Sequence, residues 1–313
     1  MNNSLDKNLQ SLRGKDFLSI TDFSSEEIYS LLELALKIKK KQIFFNYAEK
    51  TLGLIFEKSS TRTRVSFQVA INNLKGTTIE INPEKTQIGR GELIKDTSRV
   101  LSGYLDALAI RTFDQSILEE YAKWSKIPII NALTDLEHPC QILADLLTIK
   151  EEFGDFEDLT ITYIGDPNNV SNSLILAGAL FGIQVIIGCP QNYSPDKEII
   201  KKASNFIKNS KTGKIYNDPK IAVRDANVIY TDVWSSMGQE INASKKEKLF
   251  NGFTLNEELI NEAQKKHIIL HCLPAYRGKE ISNEVMECQN SRIFVQSENR
   301  LHVQQALLAS ILS

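Results

Sequence analysis

Short apolar, β-branched runs alternate with stretches of helical spacing along nearly the whole chain, and this alternation restricts the fold more than any other sequence feature. Leu54-Ile55-Phe56 reads as a buried strand. From Val65 to Leu74, the residues Phe67, Ile71 and Leu74 recur at helical spacing, and Thr77 to Ile81 is β-branched enough for a second strand. The unit is β-α-β. Leu93 to Leu105 is again helical, Ala107 to Ile110 is a strand that ends at Arg111, and Pro128 to Asn131 is another. The plan repeats with Leu159 to Ile164, a helix from Ser171 to Phe181, and strands at Gln184 to Ile187, Asn227 to Thr231, His267 to Leu270 and Arg292 to Val295. Ser24 and Ser25 precede an amphipathic helix that runs to about Lys41, and Leu301 to Leu312 forms a terminal one.

The expected class is α/β, with two doubly wound domains, each a central, mostly parallel sheet flanked by helices. At 313 residues the chain is long enough for two domains of roughly 150 residues. The acidic stretch Glu151-Glu152-Phe153-Gly154-Asp155 separates the two alternations, which places the domain boundary between residues 150 and 151. Lys and Arg total 37 against 39 Asp and Glu, so no global basic field invites nucleic acid. The four cysteines form no C-x-x-C pair, an argument against a zinc site or a disulfide framework. The polar start and the lack of any apolar run near the roughly 20 residues that span a bilayer predict a cytoplasmic protein with no membrane partner.

Polar groups gather where predicted strands end. Ser59-Ser60-Thr61-Arg62-Thr63-Arg64 lies between a strand and a helix, where unpaired N–H groups and the helix dipole favour an anion. An N-cap with solvated arginines explains the same residues. Arg111 is delivered to the carboxyl edge of its strand, where open α/β sheets bind ligands; pairing with a local carboxylate is the alternative. Pro139 suits the first turn of a helix, so His138 and Gln141, three apart, flank that helix start. His138 as a simple cap is the competing explanation. Asp232 to Gly238 and His271-Cys272-Leu273-Pro274 come after two further strands. A dinucleotide site is poorly supported, because Gly165 stands alone where G-x-G-x-x-G would be needed.

Together, Ser60 to Thr63, Arg111, His138-Pro139-Cys140-Gln141, Asp232 to Gly238 and His271 to Pro274 resemble the motif set of the aspartate/ornithine carbamoyltransferase family, in order and spacing, from about Leu52 to the terminal helix. The resemblance implies transfer of the carbamoyl group of carbamoyl phosphate to the δ-amino group of ornithine, giving citrulline and phosphate, in arginine metabolism, without metal or organic cofactor. It also implies a homotrimer or a multiple of trimers. A carbamoyl-phosphate domain would span 1–150, joined by a returning helix at about 299–313, and an ornithine domain 151–298, with the active site in the cleft between them. By position, Ser60, Thr61, Arg62, Thr63 and Arg111 match the phosphate cradle; Arg111, His138 and Thr63 match donors to the carbonyl oxygen; Gln141 matches the holder of the carbamoyl nitrogen, and Arg300 a further contact at that end. Asn169, Asp232, Ser236 and Met237 match residues that hold the amino-acid head of ornithine. Cys272 and the Leu273 carbonyl match groups near the reacting amine, with Asp232 and Cys272 positioning or deprotonating it. Gln87 matches a loop that family members send into a neighbouring subunit's site.

Other amines, putrescine or aspartate, are the rival substrates. Ser236-Met237-Gly238 resembles the family's loop that recognises an α-amino-acid head, which a diamine lacks, and no extra cation stands near Asp232 for a second carboxylate. A non-catalytic sensor would leave Cys272 without a task. Arg64 reads as structural as readily as functional, and Trp234 as packing rather than substrate contact. The family's ornithine enzymes usually continue His-Cys-Leu-Pro with Ala-His-Arg-Gly, whereas this chain has Ala275-Tyr276-Arg277-Gly278, a difference expected to touch loop packing.

Overall fold

A computed structural model describes residues 3–206, 213–234 and 243–313. The chain forms two units, Met1–Leu147 with Glu298–Ser313, and Thr148–Ser297. In the first, strands β1 (Thr51–Phe56), β2 (Thr77–Ile81), β3 (Ala107–Arg111) and β4 (Ile129–Leu133) pair in the order β2-β1-β3-β4, all parallel. Ile55, Leu108, Ile110 and Ile129 pack with Leu118 and Tyr121 of the helix Gln115–Trp124. The helix Ser25–Lys39 begins with a Ser24–Glu27 capping box, carries Glu26 and Glu27 in its first turn and Lys37 and Lys39 in its last, and buries Ile28, Leu31, Leu32 and Ala35. Each end therefore agrees with the helix dipole.

In the second unit, β5 (Thr160–Ile164), β6 (Gln184–Gly188), β7 (Lys214–Tyr216), β8 (Val228–Thr231) and β9 (Ile268–His271) pair in parallel in the order β7-β6-β5-β8-β9. Its core joins Ile164, Ile186, Ile229 and Ile269 of the sheet to Trp234, Phe250, Leu259 and Val285. Strand order reverses between β1 and β3 in one sheet and between β5 and β8 in the other. The loops leaving those strands diverge there, which opens a crevice at the carboxyl edge.

One expected strand is a helix. Arg292 to Val295 does not extend the second sheet: only Ser291 bridges to Ile269, and the helix Ile293–Ile311 begins immediately after Arg292. The Gln296 N–H already bonds to the Arg292 carbonyl at 2.7 Å, and Phe294 and Val295 are exposed. Three apolar residues are too few to separate a strand from the first turn of a helix. The acidic stretch is also partly helical, since Pro139–Phe153 continues through Glu151 and Glu152 before Gly154 turns out at φ +86°. No described helix is long and apolar enough to cross a membrane.

Candidate functional site

In the first unit, the register sets Phe56 beside Arg111 at the β1/β3 switch point. The chain then turns through Ser60, extended at φ −156°, into the helix Thr61–Asn73. The Ser60 hydroxyl makes no cap bond; it accepts from Arg111 Nη1 at 3.3 Å. The simple N-cap is therefore not what the cluster forms. Thr63 is buried, and its hydroxyl accepts from Arg300 Nη2 at 2.6 Å, while Arg300 Nη1 donates to Gln141 Oε1. Gln141 Nε2 donates in turn to Asp145 at 2.9 Å. Thr61 is exposed and Arg62 half-buried on the same first turn. Arg64 pairs with Glu80 at 3.0 Å and lies against the Phe56 ring, a structural role.

His138 sits just before the helix Pro139–Phe153, buried at 4% exposure. Burial, and then the positive charges of Arg300 and Arg111, hold its pKa well below the ordinary 6.5. The ring is neutral at physiological pH, chiefly because it is buried. Two buried guanidinium groups and a helix N-terminus thus converge on one edge of the sheet, a suitable cradle for a phosphorylated small molecule. Gln87 is exposed between the single-turn segments Pro83–Lys85 and Ile88–Arg90 and lines a cavity of about 280 Å³ with Ile81, Thr86, Glu92, Thr97, Val100 and Leu101.

In the second unit, Ile164 of β5 and Thr231 of β8 are register partners, and the loops that continue from them touch. Asn168 Nδ2 donates to Asp232 Oδ2 at 2.7 Å, and Oδ1 of the same buried carboxylate accepts the Val233 N–H at 2.8 Å. Gly165 takes φ +136°, a conformation that side chains disfavour, while its loop passes Thr231 and Trp234. Trp234 stacks on Phe250 with ring centroids 5.8 Å apart and serves the core. Asp166 pairs with Lys246 at 2.5 Å; burial raises its pKa against that pairing. Asn169 opens the helix Asn169–Phe181, whereas its neighbour Asn168 is both the N-cap and the partner of Asp232. Sequence reasoning missed Asn168, although Asn168-x-x-Ser171 is a capping-box spacing. Ser236 and Met237 lie outside the described residues.

At the end of β9, Cys272 is buried at 8% exposure and Leu273 adopts φ +60°. Ligand atoms of Asp232, His271 and Cys272 lie within 4.8 Å of one another, the metal-ligating cluster found among the described residues. Leu273 N–H donates to His271 Nδ1 at 2.9 Å and Nε2 lies 3.2 Å from Glu280 Oε1, so a cation there would have to displace one of these bonds. Glu280, nine residues from His271 in sequence, left no one-dimensional signal.

Two parallel sheets, each with its polar groups at a switch point, one cationic and one carboxylate-bearing, define a two-domain α/β protein built to bind a phosphorylated anion and a second small molecule. The chain matches the family models for the aspartate/ornithine carbamoyltransferase carbamoyl-P binding domain over residues 15–151 and the Asp/Orn binding domain over residues 157–311. The chain belongs to that family. It is 61% identical over 302 residues to an ornithine carbamoyltransferase of Prochlorococcus marinus (strain MIT 9312), covering 96% of this chain and 98% of that one. A second, from Prochlorococcus marinus subsp. pastoris, is 60% identical over 301 residues with the same coverage. The solved ornithine carbamoyltransferase of Pyrococcus furiosus matches with a TM-score of 0.91 at 44% identity, covering 96% of this chain and 98% of that one.

Proposed function

We propose that the chain transfers the carbamoyl group of carbamoyl phosphate to the δ-amino group of L-ornithine, giving L-citrulline and phosphate, in the arginine metabolism of the cytoplasm. The observation that carries the reading is the cluster of Arg111, Arg300 and a neutral His138 beside Ser60 and Thr63. Ser60, Thr61, Arg62, Thr63 and Arg111 hold the phosphate through charge-assisted and helix-terminus hydrogen bonds. Arg111, His138 and Thr63 donate to the carbonyl oxygen as negative charge grows there. Gln141 Oε1 keeps one lone pair on Arg300 and offers the other to the carbamoyl nitrogen. The amine forms the new N–C bond, the bond from carbon to the phosphate oxygen breaks, and the proton that the amine loses is taken up by the departing phosphate, which leaves as hydrogen phosphate.

In the second unit, Asn169, Asp232, Ser236 and Met237 hold the amino-acid head, while Cys272 and the Leu273 carbonyl face the δ-amine. The chemistry requires these groups to present the amine to the carbamoyl carbon held by the first unit. Assembly as a homotrimer or a multiple of trimers, with Gln87 reaching a neighbouring subunit's site, belongs to the same reading. Carbamoyl transfer from carbamoyl phosphate should be more efficient by roughly a hundredfold or more with ornithine, giving citrulline, than with putrescine or aspartate, each giving its own N-carbamoyl product. A higher kcat/KM with either rival amine would overturn the substrate assignment.

A further inference from the structure

The side chains of His271 and Glu280 form a buried pair, at 0% and 1% exposure, with Nε2 and Oε1 3.2 Å apart. The Leu273 N–H donates to Nδ1 at 2.9 Å, which assigns the ring proton to Nε2 and directs it at Glu280. The same Oε1 accepts the Tyr276 N–H at 2.6 Å. One side-chain pair therefore ties down two backbone donors of the turn after Cys272. Its own anchoring is firm. The His271 N–H donates to Gln296 Oε1 at 2.9 Å, Gln296 Nε2 donates to the Tyr230 hydroxyl at 3.0 Å, and the Glu280 carbonyl accepts the Leu255 N–H at 2.8 Å. Between these ties Leu273 is held at φ +60°, a left-handed conformation that a residue with a branched side chain keeps only when its surroundings impose it.

We propose that His271 and Glu280 are positioning residues for the acceptor amine: by fixing the Leu273 backbone they set the direction of its carbonyl and of the adjacent Cys272 thiol. The inference rests on the proposed carbamoyl transfer, in which that carbonyl and thiol face the δ-amine. Both ring nitrogens of His271 are engaged, so the pair acts by holding hydrogen bonds and passes no proton. Glu280→Gln preserves an oxygen that accepts from both Tyr276 and His271 but exchanges no proton; Glu280→Ala removes the acceptor. His271→Asn keeps an acceptor for Leu273 and loses the tie to Glu280.

The test uses the full chain with carbamoyl phosphate and ornithine, measuring kcat, both KM values, the pH profile of kcat and the folded fraction. Glu280→Ala should lower kcat at least tenfold and raise KM for ornithine, with KM for carbamoyl phosphate changed less than twofold. Glu280→Gln should keep at least a third of wild-type kcat with an unchanged pH profile. A Glu280→Gln enzyme as slow as Glu280→Ala would overturn the proposal in favour of proton transfer. Loss in Glu280→Ala that tracks only the folded fraction, with kcat per folded molecule unchanged, would reduce the pair to a structural role. Should Glu280→Ala fail to fold, His271→Asn decides: a kcat down at least threefold with carbamoyl-phosphate KM unchanged supports positioning, and wild-type constants overturn it. Absence of citrulline from the wild-type protein would instead sink the proposed carbamoyl transfer itself.

Discussion

Ser60 leaves the first turn of the helix Thr61–Asn73 without a side-chain cap, and its hydroxyl turns to the Arg111 guanidinium. First-turn N–H groups that no side chain caps are those an anion can take, with Arg62 on the same turn to add charge. Arg62→Ala should weaken carbamoyl-phosphate binding about tenfold or more, the scale of one lost charge-assisted hydrogen bond, with the melting temperature unchanged. Calorimetric titration reads the affinity directly; an unaltered value would remove Arg62 from the cradle. His138 gives a second residue-scale expectation. Its folded pKa is depressed, so the unfolded chain takes up a proton near pH 6.5 that the folded chain refuses. Stability from this group is complete above that pH and falls by up to about 1.4 kcal/mol per pH unit as acidification proceeds toward the folded pKa. Between pH 7 and 5.5 the melting temperature of the wild type should therefore drop more steeply than that of His138→Asn, and parallel slopes would contradict the buried neutral ring.

Strands and their ends were legible because both signals are local. Leu54-Ile55-Phe56 and Ala107 to Ile110 are continuous apolar runs of the kind that parallel sheets bury on both faces, and the polar residues after them fall at the sheet edge. Short helices were not legible: Gln115–Trp124, Lys197–Ser204 and Pro219–Val223 have ten, eight and five residues, too few turns to establish a period, and Ile293–Ile311 was cut short because Arg292 to Val295 imitates a strand. Candidate site residues could be located where a motif places them next to a strand end, as with Arg111 and Cys272. Asn168 and Glu280 were not, since their partners are 64 and 9 residues away and only the folded sheet brings them together. Close strand packing also predicts intolerance at Gly188 of β6. A Cβ there would lie 2.4 Å from Ile164 Cδ1 and 3.0 Å from Ala222 Cβ. Gly188→Ala should destabilise the second unit by about 1–3 kcal/mol, measurable as a lowered melting temperature, and a neutral effect would mean that the sheet relaxes around the methyl group.

At the scale of the molecule, the first unit is made from two separated pieces of chain, residues 1–147 and 298–313. Arg300 reaches Thr63 and Gln141 from the second piece, Lys39 donates to Asn299 at 2.8 Å, Tyr47 donates to the Ala309 carbonyl at 2.8 Å, and the Gly14 N–H bonds to the Ile311 carbonyl at 2.9 Å. A fragment of residues 1–147 should show at least tenfold weaker carbamoyl-phosphate binding than the same fragment joined by a flexible linker to residues 298–313, as read by ligand-dependent thermal shift. Equal shifts would show that the terminal helix is dispensable to the cradle. The discontinuity also sets an order of events on the ribosome. Every strand of the first sheet emerges early, yet Arg300, which ties Thr63 to Gln141, arrives only after the whole second unit has been synthesised, so the carbamoyl end of the site is completed after the second sheet has had time to fold.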